Sequence, residues 1–270
     1  FGNGMLQSRH IRLVAAFDHR HIFLDPDPDA ASSFAERERL YKLPRSSWAD
    51  YNTAKLSPGG GVFPRGQKSI PLSLQMRARL GVTAVALDPA SLIRAILKAP
   101  VDLLWFGGIG TYVKASSERN SDAGDRANDA NRIDGRDIAA PVVGEGANLG
   151  VTQLGRIEYA LKGGRIDTDS IDNSAGVDTS DREVNIKIAL DGLIHAGRLD
   201  PAARHKVLHG LTDEVAALVL ADNDAQGQAL TLAETARRDR FEADVRLIRD
   251  LERRKQPDRA VEFSPDDETV

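Results

Sequence analysis

Val101-Asp-Leu-Leu-Trp-Phe106 runs directly into Gly107-Gly108-Ile109-Gly110 in the middle of the chain. The first segment is apolar and β-prone, which predicts a buried strand, and the glycines after it add no side chain and tolerate positive φ. Further along, Pro141-Val-Val-Gly144 enters the loop Glu145-Gly-Ala-Asn-Leu-Gly150 in the same manner. Short apolar strands that alternate with helices favour a parallel α/β sheet.

The residues around these strands predict helices and one more strand. Ile11-Arg-Leu-Val-Ala-Ala-Phe17 is apolar on both faces, which is typical of a strand in a parallel sheet, and it ends at Asp18. Residues 167–173 are interpreted as a short strand or an extended loop. Helices with favourable first-turn residues are predicted over 30–40 after Asp29, 74–80 after Ser73, 89–98 from Asp88-Pro89, and 152–161.

The pattern becomes helical from residue 178 almost to the end of the chain. Thr179 or Ser180, together with Glu183, can form a capping arrangement at the start of the first of these helices. Pro201 starts another helix, and residues 230–254 form a long, highly charged amphipathic one. The chain is therefore predicted to be a parallel α/β sheet followed by a helical extension.

The composition excludes several classes of function. The net charge is −4 over 270 residues, whereas binding to nucleic acid needs a basic surface. No apolar run approaches the roughly 20 residues that cross a bilayer. There is no cysteine, and His10, His19 and His21 lack a matched set of carboxylates, so no metal site is predicted. These features predict a cytoplasmic protein without nucleic-acid or membrane partners, and Phe1 in place of methionine predicts an internal piece of a longer chain.

The candidate binding residues follow the predicted strands, because ligands of open parallel sheets bind beyond the carboxyl ends of the strands. Asp18 can accept hydrogen bonds from both hydroxyls of an adenosine ribose and would repel a 2′-phosphate, which favours NAD over NADP; the alternative is a turn residue. Gly107 and Gly108 allow a ligand to approach the backbone, or form only a tight turn. Glu145 and Asn148 are the polar candidates of the next loop, where the amide can both donate and accept.

Several motifs in this order resemble the large bacterial NAD-specific glutamate dehydrogenases. The resemblance extends from the beginning of the chain to residue 263. The motifs are Phe1-Gly-Asn-Gly-Met-Leu6, Phe17-Asp-His-Arg-His-Ile-Phe-Leu-Asp-Pro26, Gly59-Gly-Gly-Val-Phe-Pro64, Leu104-Trp-Phe-Gly-Gly-Ile-Gly-Thr-Tyr112, Gly124-Asp-Arg-Ala-Asn-Asp129, Val142-Val-Gly-Glu-Gly-Ala-Asn148, Asp172-Asn-Ser-Ala-Gly-Val177, Leu251-Glu-Arg-Arg254 and Arg259-Ala-Val-Glu-Phe263.

The resemblance implies a fold and a reaction. The fold is a Rossmann-like, doubly wound, mostly parallel sheet, of which residues 1–177 form a partial dinucleotide-binding domain and residues 178–270 an α-helical extension. The reaction is the oxidative deamination of L-glutamate to 2-oxoglutarate and ammonium, with hydride transfer to NAD. Without the resemblance, a non-catalytic nucleotide-binding regulatory α/β domain fits the residues nearly as well.

The resemblance also implies roles for individual residues. Asn148 is expected near the nicotinamide half of NAD, and Val177 and Ser180 are expected to face the distal carboxylate of the substrate. Asp181-Arg182 stands where the shorter glutamate dehydrogenases have an aromatic pair. The phosphate-binding glycine turn and the substrate domain with the catalytic lysine and aspartate are expected upstream, so no catalytic residue is assigned here. A homo-oligomer is expected as well.

Overall fold

The computed structural model of the chain describes residue 6 and residues 8–256. The predicted motif over 259–263 and most of the motif over 1–6 lie outside the described residues. The chain divides into two compact units, Phe1–Ile166 and Asp167–Val270. This division comes before the short helix at 169–172, whereas the boundary predicted from the sequence lies after residue 177.

The first unit contains four sheets and four α-helices among the described residues. The helices are α1 (Ala30–Lys42), α2 (Leu74–Leu80), α3 (Pro89–Leu97) and α4 (Gln153–Leu161). The strands are β1 (Ala15–Phe17), β2 (His21–Leu24), β3 (Gly61–Pro64), β4 (Ile70–Pro71), β5 (Ala86–Leu87), β6 (Leu103–Phe106), β7 (Val113–Lys114), β8 (Ile133–Asp134), β9 (Val142–Glu145) and β10 (Arg165–Ile166).

Each predicted helix of this unit is confirmed, and side chains cap them all. Because the first amides of a helix have no partner within it, an oxygen from the preceding residue stabilises the first turn. The four caps are Asp29 accepting from the Ser32 amide, Ser73 from Met76, Asp88 from Ser91, and Thr152 from Gly155.

The predicted parallel strand over residues 11–17 is wrong. The strand within this segment, β1, pairs antiparallel with β2, which pairs antiparallel with β3. The chain reverses at Asp18, whose Oδ1 atom accepts hydrogen bonds from the backbone amides of Arg20 and His21, both at 2.7 Å. The two faces of this sheet are buried by two hydrophobic clusters, one around Ile22 and one around Phe23. A strand that is apolar on both faces can therefore also belong to an antiparallel sheet.

A parallel sheet is present further along the chain, with strand order β10-β9-β6. One face of this sheet, with Phe106 and Val143, lies in the main hydrophobic core. The buried face of α3, formed by Leu92, Ile93, Ile96 and Leu97, belongs to the same core. The α/β character expected from the sequence is therefore confirmed, but the strands of the unit belong to four separate sheets.

The second unit is helical in its described part. Its helices are α5 (Asp169–Asp172), α6 (Val177–His195), α7 (Arg204–Gly210) and α8 (Thr212–Arg253). No helix in the described part of the chain is both long and apolar enough to span a bilayer.

Two local predictions in the second unit are wrong. The extended segment expected over 167–173 contains α5, where the amide of Asn223 on α8 donates to the Ile171 carbonyl at 2.7 Å and stabilises the turn. The cap expected at Thr179 or Ser180 is absent, since α6 begins at Val177 and has no side-chain cap.

The cap of α3 makes a measurable contribution to stability. Asp88→Ala is expected to lower the free energy of unfolding by about 1 kcal/mol, because it leaves first-turn amides without their acceptor. Asp88→Ser, which can still cap, is the control and should lose only a few tenths. Urea denaturation at pH 7 measures both.

The stabilisation by Asp88 should depend on pH, and the same variant can measure this. Hydrogen bonds from Ser91 hold the pKa of Asp88 below its usual value of 3.8. The Asp88 carboxylate therefore stabilises the fold fully above pH 3.8, and this stabilisation is lost as the pH falls through the lowered pKa of the folded state. The difference in free energy of unfolding between wild type and Asp88→Ala should therefore become smaller below pH 3.8. A difference that does not change with pH would contradict the role of Asp88 as a charged helix cap.

Candidate functional site

The candidate site lies at the edge where β6 and β9 end. These strands are parallel, with Phe106 opposite Glu145 as their last residues. The chain therefore leaves both strands at the same edge, into the loop with Gly107 and Gly108 and the loop with Asn148. These last three residues are exposed. The structure thus brings together two of the three loops selected from the sequence.

Direct hydrogen bonds join the two loops. The Thr111 hydroxyl donates to the Leu149 carbonyl at 2.7 Å, and the amides of Tyr112 and Val113 donate to the Gly150 carbonyl at 2.9 and 3.2 Å. Leu149 adopts φ +60°, a left-handed conformation that non-glycine residues rarely adopt. The loop around Asn148 is therefore held in a specific shape at its C-terminal end.

The loop after β6 is also anchored from behind. The Asp125 Oδ2 atom accepts hydrogen bonds from the Thr111 amide at 2.8 Å and the Asn128 side chain at 2.7 Å. The Asn128 side chain and the Thr111 amide lower the pKa of Asp125, so the carboxylate remains charged over a wide pH range. Gly110 has φ +126°, which L side chains rarely adopt, so this anchor requires glycine there.

Glu145 lies inside the unit. Its side chain is fully buried, Oε1 accepts from the Val151 amide at 2.9 Å, and Oε2 accepts from Nε and Nη2 of Arg156 at 3.0 and 2.5 Å. Arg156 is on α4, directly after the loop, and 12% of its side chain is exposed. The carboxylate of this predicted cofactor residue thus closes the base of the loop that presents Asn148.

Trp105 covers two glycines of the neighbouring strand and loop. A Cβ atom at Gly144 would lie 2.4 Å from its ring, and one at Gly146 would lie 2.1 Å from it. Both distances are shorter than real Cβ contacts, so the indole occupies space that only glycine leaves free. At Gly108, by contrast, a Cβ atom would meet nothing within 4 Å.

Asp18 belongs to the antiparallel sheet, and its carboxylate closes the turn between β1 and β2. A series of aromatic rings connects this turn to the strand-end loops. Phe17 meets Tyr112 edge to face at 5.4 Å between centroids, and Tyr112 stacks on Phe106 at 6.0 Å. Burial raises the pKa of Tyr112. The Arg65 guanidinium donates to the Asp18 carbonyl at 2.8 Å.

The predicted substrate residues lie in the second unit, on the first turn of α6. Val177 is half-buried, and Ser180 is exposed. Their assignment to the substrate carboxylate stays a prediction.

Sequence reasoning missed the groups that shape the loops, namely Trp105, Thr111, Asp125 and Arg156. A partial signal existed for Trp105, because alternate glycines at 144 and 146 leave room on one face of a strand for a large neighbour. The arginine sits eleven residues after Glu145. That separation matches many pairs, so it could not have been selected from sequence.

A sequence model described as "Bacterial NAD-glutamate dehydrogenase, catalytic domain" matches residues 1–233. The chain belongs to this family. The large bacterial NAD-glutamate dehydrogenases suggested by the motifs are thereby confirmed as its relatives.

Curated members of the family align over most or all of the chain. NAD-specific glutamate dehydrogenases from Pseudomonas aeruginosa and Halomonas elongata are 57% and 56% identical over all 270 residues. The enzyme of that name from Mycobacterium tuberculosis is 61% identical over 236 residues, 85% of the chain. The chain spans only 14–17% of the length of these relatives.

The fit between Trp105 and the glycines can be tested by adding one methyl group. Gly146→Ala should force the indole outward, which costs about 1 kcal/mol of stability and makes the tryptophan easier to quench with acrylamide. Trp105→Phe identifies which tryptophan signal has changed. Gly108→Ala, where the added carbon meets nothing, is the matched control; equal quenching in both alanine variants would refute the packing.

The buried pair beneath the Asn148 loop makes a second prediction. Arg156→Ala should lower the free energy of unfolding by about 3 kcal/mol, because it takes the guanidinium away from a buried carboxylate. Lys42→Ala, which removes a largely exposed ion pair with Glu38, is the control and should cost less than about 1 kcal/mol. Urea denaturation measures the free energy of unfolding of both variants. Equal losses of stability would mean that the ion pair at Glu145 is not buried.

Proposed function

We propose that the chain is the NAD-binding part of a longer glutamate dehydrogenase. The reaction is the oxidative deamination of L-glutamate to 2-oxoglutarate and ammonium, with hydride transfer to NAD. One observation carries the proposal: β6 and β9 are parallel neighbours, and their two glycine-containing loops leave the sheet at one edge. Membership of the bacterial NAD-glutamate dehydrogenase family supports the choice of cofactor and reaction.

The two loops have complementary roles in this proposal. Gly107 and Gly108 let the cofactor approach the backbone, and the open space beside Gly108 supports this role. The exposed Asn148 amide both donates and accepts, as the carboxamide of nicotinamide does. Glu145 acts through the loop: its buried carboxylate, held by Arg156, keeps the backbone around Asn148 in one conformation.

Asp18 binds the adenosine ribose in the same proposal. One carboxylate offers about four acceptor positions, so the two turn hydrogen bonds leave room for ribose hydroxyls. Its charge would repel the 2′-phosphate of NADP, which fits the names of the relatives. The rings of Phe17 and Tyr112 link this turn to the loop after β6.

At the level of the fold, we propose that β10-β9-β6 is one half of a Rossmann-like, doubly wound sheet within residues 1–177, and that 178–270 is a helical extension. The parallel order supports this reading. Val177 and Ser180 are proposed to face the distal carboxylate of the substrate. The proton transfers are assigned to a substrate domain in another part of the polypeptide. A cytoplasmic homo-oligomer completes the proposal.

The role of Asp18 is tested by the substitution Asp18→Asn. The protein used is a full-length dehydrogenase polypeptide, as long as the relatives, that contains this chain. Asparagine can make the same turn hydrogen bonds but lacks the negative charge. The variant should therefore keep its stability, bind NADH about tenfold more weakly, and discriminate less against NADPH. Calorimetric titration with both nucleotides measures this. Unchanged affinities would leave Asp18 as a turn residue only.

Asn148→Ala in the same polypeptide tests the other loop. It should lower turnover as well as NADH affinity, by about tenfold, because the nicotinamide loses a hydrogen-bonding partner. Asn185→Ala, on an exposed part of α6, is the control. Weaker NADH binding with unchanged turnover would favour a regulatory nucleotide site over a catalytic one.

A further inference from the structure

Among the residues that the structure describes, the parallel sheet of the first unit has an exposed apolar face beside the candidate site. Leu103 and Trp105 on β6 are each 51% exposed, and Val142 on β9 is 40% exposed. The opposite face of the same strands is packed into the core through Phe106 and Val143. A large aromatic group exposed on a regular strand is unusual, and exposed apolar surface next to polar groups is a common feature of ligand sites.

The indole of Trp105 extends from the sheet face to the strand-end loops. Its six-membered ring lies over Gly144, and its Nε1 side reaches Gly146 and Gly107. The Nε1 atom lies 3.4 Å from the position that a Cβ atom at Gly107 would take. One side of the ring is thus fixed against glycine backbone, while half of the side chain remains exposed.

We propose that Trp105 is an aromatic wall of the cofactor site and packs against the nicotinamide ring of NAD. This inference rests on the proposed function and adds a binding residue to it. Exposed aromatic faces bind planar heteroaromatic rings by stacking. The indole packs against Gly146, so it adjoins the loop that carries Asn148, the residue proposed for the carboxamide. Asp18, proposed for the adenosine ribose, lies in the turn between β1 and β2 of the antiparallel sheet.

The absence of side chains at two glycines explains why the indole can lie close to the loops. With side chains at Gly144 and Gly146, the indole would be lifted off the strand. The glycines therefore set the position of the ring, and Gly107 and Gly108 leave the approach to it open. The tryptophan binds the ring and takes no part in proton transfer.

The test compares two ligands that differ by the nicotinamide ring. In the full-length dehydrogenase polypeptide, Trp105→Leu should weaken binding of NADH about tenfold and leave binding of ADP-ribose unchanged. Trp105→Phe should restore most of the NADH affinity, because it restores an aromatic face. Trp48→Phe, in the buried cluster with Phe23 and Tyr51, is the control and should change neither affinity. Calorimetric titration measures all four proteins.

Each other outcome is decisive. If Trp105→Leu weakens both ligands equally, the residue supports the fold or the adenosine half, and the inference is overturned. If it changes neither ligand, the exposed face serves another purpose and the inference is again overturned. If the wild-type polypeptide binds neither NADH nor ADP-ribose, the proposed function itself fails.

Discussion

Parallel pairing of β6 with β9 is the constraint on which the candidate site depends. Two parallel strands need a long crossover connection, and they bring their carboxyl ends to one edge of the sheet. Here the last paired residues are Phe106 and Glu145, so a glycine-containing loop begins on each strand at the same level. The main hydrophobic core holds one face of the pair, and the other face carries Trp105.

Buried polar groups then give the loops their shape. Burying the carboxylate of Glu145 alone would cost free energy. Hydrogen bonds from Arg156 and the Val151 amide offset this cost. Thr111 ties the two loops together, and Leu149 is held in a left-handed conformation. A site shaped in this way before a ligand arrives needs little reorganisation on binding, which favours both affinity and orientation.

Local signals explain how much of this could be predicted from the sequence. The caps at Asp29, Ser73 and Asp88 act within a few residues, so their helices follow from the sequence. The pairing of β1 could not be predicted, because burial on both faces is compatible with either strand direction. The partner of Glu145 was out of reach for a similar reason, since a buried ion pair joins residues that only the fold brings together. The glycine-containing loops at the strand ends could be predicted as candidate sites, because glycine has no side chain and lets a ligand approach the backbone.

An experimental structure of the full-length dehydrogenase polypeptide with NADH bound would show whether the cofactor binds at this edge of the sheet. We expect the nicotinamide ring at the shared edge of β6 and β9, within hydrogen-bonding distance of Asn148 and close to the backbone of Gly107. A nicotinamide bound away from this edge, with both loops left empty, would contradict this expectation.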